Sequence, residues 1–78
     1  MSLDVRLGNV IAALFGVDAS ALTDEASPKT IAAWDSVGHL QLMLAIEAEF
    51  GIAFSPDTMA ELTSVGAIRR YLSDTIGA

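Results

Sequence analysis

Residues 36–50 constrain the fold of this chain more than any other segment. Asp35 or Ser36 is a favoured N-cap residue, and Gly51 directly follows the last apolar residue of the segment. A stripe of apolar side chains at helical spacing, within an arc of about 80°, comprises Leu42, Ile46 and Phe50. The segment therefore predicts a helix that needs other helices to cover this stripe.

Similar signals predict helices on both sides of this segment. The first helix has Ser2 as its cap and ends at Gly16. The stretch 55–57, Ser-Pro-Asp, is typical of a helix start, with a cap, a proline at the first helical position and an acid in the first turn. It predicts a short third helix over 58–62, packed through Met59 and Leu62.

A fourth helix is predicted to begin after Thr63 or Ser64 and to end at Gly77. Its apolar stripe comprises Val65, Ile68, Tyr71, Leu72 and Ile76. Residues 17–35 have no sustained period, so they predict a long loop with a short turn near 19–22. The residues that would hold this loop to the core are Val17, Leu22 and Ile31. The sequence thus predicts an all-α four-helix bundle with three longer helices and a short third helix.

Length and composition limit the classes of protein that this chain can belong to. Its 78 residues predict one domain over 1–78, and a hydrophobic content of 53% favours a packed fold over disorder. The absence of cysteine excludes a disulfide scaffold and a Cys-based zinc site. A net charge of −6 argues against nucleic acid and anionic lipid and favours partners with basic surfaces. Without a signal peptide or an apolar run that could span a membrane, we expect a cytoplasmic protein.

The helix over 36–50 carries a second apolar arc, about 120° from the first. This arc contains Val37, Leu40 and Leu44, and Glu47 lies beside it. The preceding loop could fold over these side chains. Alternatively, they form an exposed apolar patch with an acidic edge, which is typical of a protein–protein site.

The candidate groups for catalysis lie close together in the sequence, but their spacing is unsuitable. Asp35 and His39 flank Ser36, yet all three occupy one helical turn and cannot form the nucleophile, base and orienting acid of a hydrolase. Two ligands, Asp35 and His39, do not hold zinc either. We therefore expect no metal site, and we interpret His39 as a partly exposed polar residue and Trp34 as a loop residue packed on the bundle.

Three stretches of the chain resemble the acyl carrier protein and peptidyl carrier protein family. Residues 34–40, Trp-Asp-Ser-Val-Gly-His-Leu, resemble the family's Asp-Ser-Leu attachment motif. Residues 42–52 look like its second helix with a Glu-Phe-Gly exit, and residues 63–68 look like the start of its last helix. The resemblance covers nearly the whole chain at the family's spacing.

The resemblance implies a covalent 4′-phosphopantetheine on Ser36, added by a phosphopantetheinyl transferase. Asp35 would support this site by helping to position the transferase and its metal-bound coenzyme A. The thiol of the cofactor would hold acyl or aminoacyl intermediates as thioesters. A helix N-terminus suits the anionic phosphodiester, because its free N–H groups and dipole stabilise negative charge. The chain itself would not be an enzyme, since partner enzymes would perform the chemistry.

The resemblance also implies which surface the partners use. Carried over by position, the partner-binding residues would be Val37, Leu40, Leu44 and Glu47. The expected partners are the transferase, an acyl- or aminoacyl-loading ligase, and downstream transferases or synthases. Fatty-acid carriers commonly have acids at the positions of Gly38, Gln41 and Ala48, so this recognition helix is less acidic.

These departures favour a dedicated pathway over general fatty acid biosynthesis: a polyketide, nonribosomal peptide, modified lipid or aminoacyl carrier. The Met-Ser-Leu start favours a free-standing chain, and we expect a monomer because a carrier docks with several enzymes in turn. The alternative is a carrier-like interaction module that is never modified and works through its second helix.

Overall fold

The structure is a computed structural model of the chain, and it describes residues 3–76. Its elements are α1 (Leu3–Phe15), a 3₁₀ turn (Ala19–Ala21), α2 (Ser36–Phe50), α3 (Pro56–Glu61) and α4 (Val65–Ile76). Residues 3–76 contain helices and loops but no strand, so the predicted all-α fold with a short third helix is confirmed. The third helix spans Pro56–Glu61 rather than 58–62: Pro56 takes the first helical position, as the Ser-Pro-Asp start indicates, and Leu62 is the C-cap.

Local chemistry accounts for where the helices stop. Gly16 and Gly51 both adopt the left-handed conformation with φ of 67°, which glycine enters without steric cost. The Gly51 N–H donates to the Glu47 carbonyl over 2.9 Å, closing the last turn of α2. Both predicted stops are confirmed. The predicted cap Ser2 and stop Gly77 lie outside the described residues.

Side-chain caps account for where the helices begin. The Asp35 carboxylate accepts a hydrogen bond from the Gly38 N–H at the start of α2. The Ser55 hydroxyl accepts from the third helix's Thr58 N–H over 3.2 Å. The Ser64 hydroxyl accepts from the Ala67 N–H over 3.1 Å at the start of α4. Each cap satisfies a helix-terminal N–H that has no acceptor within its own helix.

The core lies between α1, α2 and α4, with one large aromatic side chain supplied by the loop. Its fully buried large side chains are Leu7, Ile11, Trp34, Leu42, Met43, Ile46, Ile68 and Leu72. Phe50 is only half-buried at the edge of this core. The placement of Ile76 in the core stripe of the fourth helix is wrong, because this side chain is 43% exposed in the last turn described.

The long loop is held against the start of α4. The Val65 N–H donates to the Ala26 carbonyl and the Gly66 N–H to the Asp24 carbonyl, each over 3.0 Å. Asp24 also forms an ion pair with Arg69 of α4. The loop therefore supplies acceptors that the first turn of α4 lacks. As predicted, Val17, Leu22 and Ile31 pack against the core.

Candidate functional site

Ser36 occupies the first position of α2, at the junction between the long loop and the helix. Asp35 precedes it in extended conformation, and its Oδ1 accepts from the Gly38 N–H over 2.7 Å. The Asp35 carbonyl accepts from the His39 N–H over 2.7 Å. These two bonds fix the backbone on both sides of Ser36, whose side chain is exposed.

The start of α2 suits an anionic group attached to the Ser36 oxygen. The amides of Ser36 and Val37 are first-turn donors without an acceptor inside the helix. The aligned peptide dipoles of this 15-residue helix add partial positive charge at the same end. No residue within 3–76 forms a hydrogen bond with the Ser36 hydroxyl. The site therefore combines an accessible nucleophile with donors suited to a phosphodiester.

Gly38 lets the loop backbone pass directly over the first turn of α2. A Cβ built at Gly38 would lie 2.2 Å from the Ala33 carbonyl oxygen and 3.2 Å from Cε1 of Phe15. A side chain at this position would force the loop backbone to shift, so packing disfavours an acid here. The glycine at position 38, where fatty-acid carriers commonly have an acid, is therefore explained by packing against the loop.

His39 joins the loop, α2 and α3 through its two ring nitrogens. The Trp34 Nε1–H donates to Nδ1 over 2.9 Å, and Nε2 lies 2.7 Å from the Met59 carbonyl oxygen. The two rings are stacked with centroids 6.2 Å apart, and Trp34 also contacts Phe15 at 5.7 Å. The prediction that Trp34 packs on the bundle is confirmed, since it is 1% exposed.

A shallow cleft opens beside Ser36, between the loop and the segment that follows α3. We call it the Ser36 cleft, and it is lined by Pro28, Ala32, Trp34, Asp35, Ser36, His39 and Thr63. Its floor is the first turn of α2, because Ser36 and His39 are three residues apart and share a helix face.

The arrangement leaves Ser36 without a catalytic base. Both ring nitrogens of His39 are engaged by other groups, and the Oδ1 of Asp35 is engaged by a backbone amide. Ser36 therefore lacks the aligned base that a serine nucleophile needs for acyl transfer.

The second apolar arc of α2 is exposed. Val37 is 66% exposed, and Leu40 and Leu44 are each 52% exposed. All three side chains are much more exposed than those of the core, so the interpretation in which the loop buries this arc is wrong. We call Val37, Leu40 and Leu44 the apolar face of α2. Glu47 is half-buried beside it, and its Oε2 accepts from the Phe54 N–H over 2.7 Å.

Comparison with known proteins identifies the class to which this fold and site belong. Residues 5–72 match the profile of the phosphopantetheine attachment site family. The chain therefore belongs to this family of acyl and peptidyl carrier proteins, whose cofactor is covalently bound 4′-phosphopantetheine.

A solved structure of the same family is also similar to this chain. It is the solution NMR structure of holo acyl carrier protein from Geobacter metallireducens, with 27% sequence identity and a TM-score of 0.84. The similarity covers 99% of this chain and 88% of that protein. None of the helices in the described part of the chain is both long and apolar enough to cross a bilayer.

Two contacts of the site were not found by sequence analysis. His39 was interpreted as a polar first-turn residue, but its partners Trp34 and Met59 lie five and twenty residues away. The close passage of Ala33 over Gly38 has no signal in the sequence beyond the glycine itself.

Proposed function

We propose that Ser36 is the attachment residue and that the chain carries acyl or aminoacyl intermediates for partner enzymes. The observation that carries this proposal is the exposed, unbonded Ser36 hydroxyl at the first position of α2. An enzyme can reach this oxygen, and the first-turn amides stabilise the phosphodiester that forms there. The bound cofactor supplies a terminal thiol on which cargo is held as a thioester.

Asp35 supports this site in two ways. Its Oδ1 caps α2 and so holds the first turn that presents Ser36. Asp35 is exposed and directly precedes Ser36, so its carboxylate can contact the transferase and the metal ion that accompanies coenzyme A. Among residues 3–76 no base is aligned with Ser36, so in this proposal the transferase supplies the base for the modification.

The partner enzymes dock on the apolar face of α2 with Glu47 at its edge. Val37 lies next to Ser36, so an enzyme that contacts this face is adjacent to the cofactor. Exposed apolar side chains in one contiguous face are typical of a protein–protein site. The partners in this proposal are a phosphopantetheinyl transferase, a loading ligase, and downstream transferases or synthases.

The two acids of α2 both have partners within the chain, and only Glu47 lies beside the apolar face. Glu47 accepts from the Phe54 amide over 2.7 Å, and Glu49 pairs with Arg6 over 3.1 Å. Arg6 also lies over the Phe50 ring at 4.6 Å, which holds this ion pair in place. This arrangement supports apolar recognition and a dedicated lipid, aminoacyl or secondary-metabolite pathway rather than general fatty acid biosynthesis. The proposal includes a monomeric, cytoplasmic carrier.

Intact-mass spectrometry with a promiscuous phosphopantetheinyl transferase and coenzyme A tests the attachment site. We expect the wild-type chain to gain one phosphopantetheine and Ser36→Ala to gain none. Ser55→Ala is a matched control, because Ser55 is another exposed serine at a helix start, and it should be labelled like the wild type.

Labelling of Ser36→Ala would contradict the site assignment. Failure to label the wild type, with a transferase that modifies a control carrier, would contradict the carrier function. The unmodified interaction module working through the apolar face of α2 would then replace it.

A further inference from the structure

The hydrogen bonds of His39 define one tautomer of its ring. The Trp34 indole N–H can only donate, so Nδ1 of His39 must accept and carries no proton. The Met59 carbonyl can only accept, so Nε2 must carry the proton and donate. The tautomer with its proton on Nε2 is therefore the one that satisfies both partners.

These two bonds connect the loop, which is also held by the core and by α4, to α3, whose own packing is limited. α3 has six residues and none of them is fully buried, so it is weakly anchored by packing. Met59 is half-buried against the core and its carbonyl receives the His39 proton. At the other end of the ring, Trp34 directly precedes the Asp35–Ser36 pair.

The same two bonds span the Ser36 cleft. Trp34 belongs to the loop side of the cleft, and Met59 belongs to the helix that leads to Thr63 on the opposite side. His39 lies between them on the floor, three residues from Ser36. Loss of either bond would release one side of the cleft while leaving Ser36 in place.

We propose that His39 is a positioning residue of the phosphopantetheine site, acting through Trp34 and Met59. It holds the loop and α3 in one arrangement around Ser36, so the transferase meets a preformed surface. This inference rests on the proposed attachment at Ser36. If the loop and α3 adopt this arrangement in only a fraction of the molecules, the apparent affinity of the transferase for the chain is reduced in proportion to that fraction.

The chain has one tryptophan and one histidine, so NMR reports this contact without overlap. We expect the ¹⁵N signals of His39 to show a protonated Nε2 and an unprotonated Nδ1. We also expect slow solvent exchange of the Trp34 indole N–H. A proton on Nδ1, or fast exchange of the indole N–H, would overturn the inference before any enzyme is used.

Two substitutions separate the bonds of His39. In His39→Asn, the side-chain oxygen takes the place of Nδ1 and keeps an acceptor for Trp34, but nothing reaches Met59. In His39→Gln, the amide nitrogen takes the place of Nε2 and can donate to Met59, but Trp34 loses its acceptor. We expect faster amide exchange in α3 for the first variant and faster indole exchange for the second. Asn9→Ala, at an exposed position of α1 away from the docking face, is the control and should change neither.

The transferase reaction then tests the functional part of the inference. At a temperature where all variants are folded, each His39 variant should raise KM for the carrier about fivefold, the effect of one net hydrogen bond. The kcat should stay within about twofold, because Ser36 and Asp35 are unchanged. Asn9→Ala should keep the wild-type KM.

A wild-type KM in both His39 variants, together with altered exchange, would overturn the positioning role and leave the attachment at Ser36 intact. A wild-type chain that is not labelled at all would remove the attachment site, and the positioning role would fall with it. If only one of the two variants has the wild-type KM, the bond that this variant keeps is the one that carries the positioning role.

Discussion

Gly38→Ala is expected to destabilise the protein even though alanine is the better helix former. The new Cβ would lie 2.2 Å from the Ala33 carbonyl oxygen, more than 1 Å closer than an ordinary contact of 3.4–4 Å. The obstacle is backbone rather than the end of a flexible side chain, so the loop itself must move. Gly8→Ala in α1 is the matched control, because a Cβ there meets nothing within 4 Å.

The two substitutions share one favourable contribution and differ in the unfavourable ones. Alanine gains about 0.8–1 kcal/mol over glycine inside a helix. At Gly38, overpacking that displaces backbone costs about 1–3 kcal/mol. The Asp35 cap, 3.2 Å from the new Cβ, moves with the loop, and loss of a cap costs about 1 kcal/mol. We expect a net loss of about 2 kcal/mol for Gly38→Ala and a gain of about 0.5–1 kcal/mol for Gly8→Ala.

Urea and thermal denaturation followed by far-UV circular dichroism measure both effects. For a domain of this size, 1 kcal/mol changes Tm by about 4–8 °C, so Gly38→Ala should lower Tm by about 10 °C. Gly8→Ala should raise it by a few degrees. If Gly38→Ala is as stable as the wild type, the loop does not pass over α2 as described and the packing argument is refuted.

Three further predictions concern α2 and its cap. Leu42→Ala, a fully buried position, should lose about 2–5 kcal/mol of unfolding free energy, whereas Leu44→Arg should change it by no more than about 0.5 kcal/mol. Leu44→Arg should nevertheless raise KM for the transferase. A loss of several kcal/mol in Leu44→Arg would show that this residue belongs to the core. Asp35→Ala should lose about 1 kcal/mol and be labelled more slowly, whereas Asp35→Asn should keep the cap and the stability. Equal stabilities of these two variants would contradict the capping role.

The fold could be predicted closely because most of its boundaries depend on neighbouring residues. Asp35 caps α2 through an amide three residues away, and Gly51 ends it through its own left-handed backbone. The short third helix was also predicted, although Pro56 begins it earlier than the periodic residues indicate. The exposed apolar arc followed from helical periodicity, but the sequence left open whether the loop covers it.

The wrong placement of Ile76 in the core stripe of α4 has the same physical origin as the open question of whether the loop covers the apolar arc of α2. Ile76 continues the period of α4, and periodicity predicts which residues share a face but not where the neighbouring helices end. In the structure the side chain is 43% exposed in the last turn described. The apolar face of α2 is exposed for the same reason, since no element of residues 3–76 reaches far enough to bury it.

The sequence by itself determined the helices and where they begin and end to within a residue or two, because these depend on interactions over a few residues. The candidate attachment residue came from the resemblance of residues 34–40 to the carrier motif. Only the tertiary structure decided that His39 bridges Trp34 and Met59, and that Gly38 lies under the Ala33 carbonyl. It also decided that Glu49 pairs with Arg6, 43 residues away. These contacts join residues whose separation in the chain bears no relation to helical period. They exist because packing of the loop and α3 against α2 brings those particular groups within hydrogen-bonding or van der Waals distance.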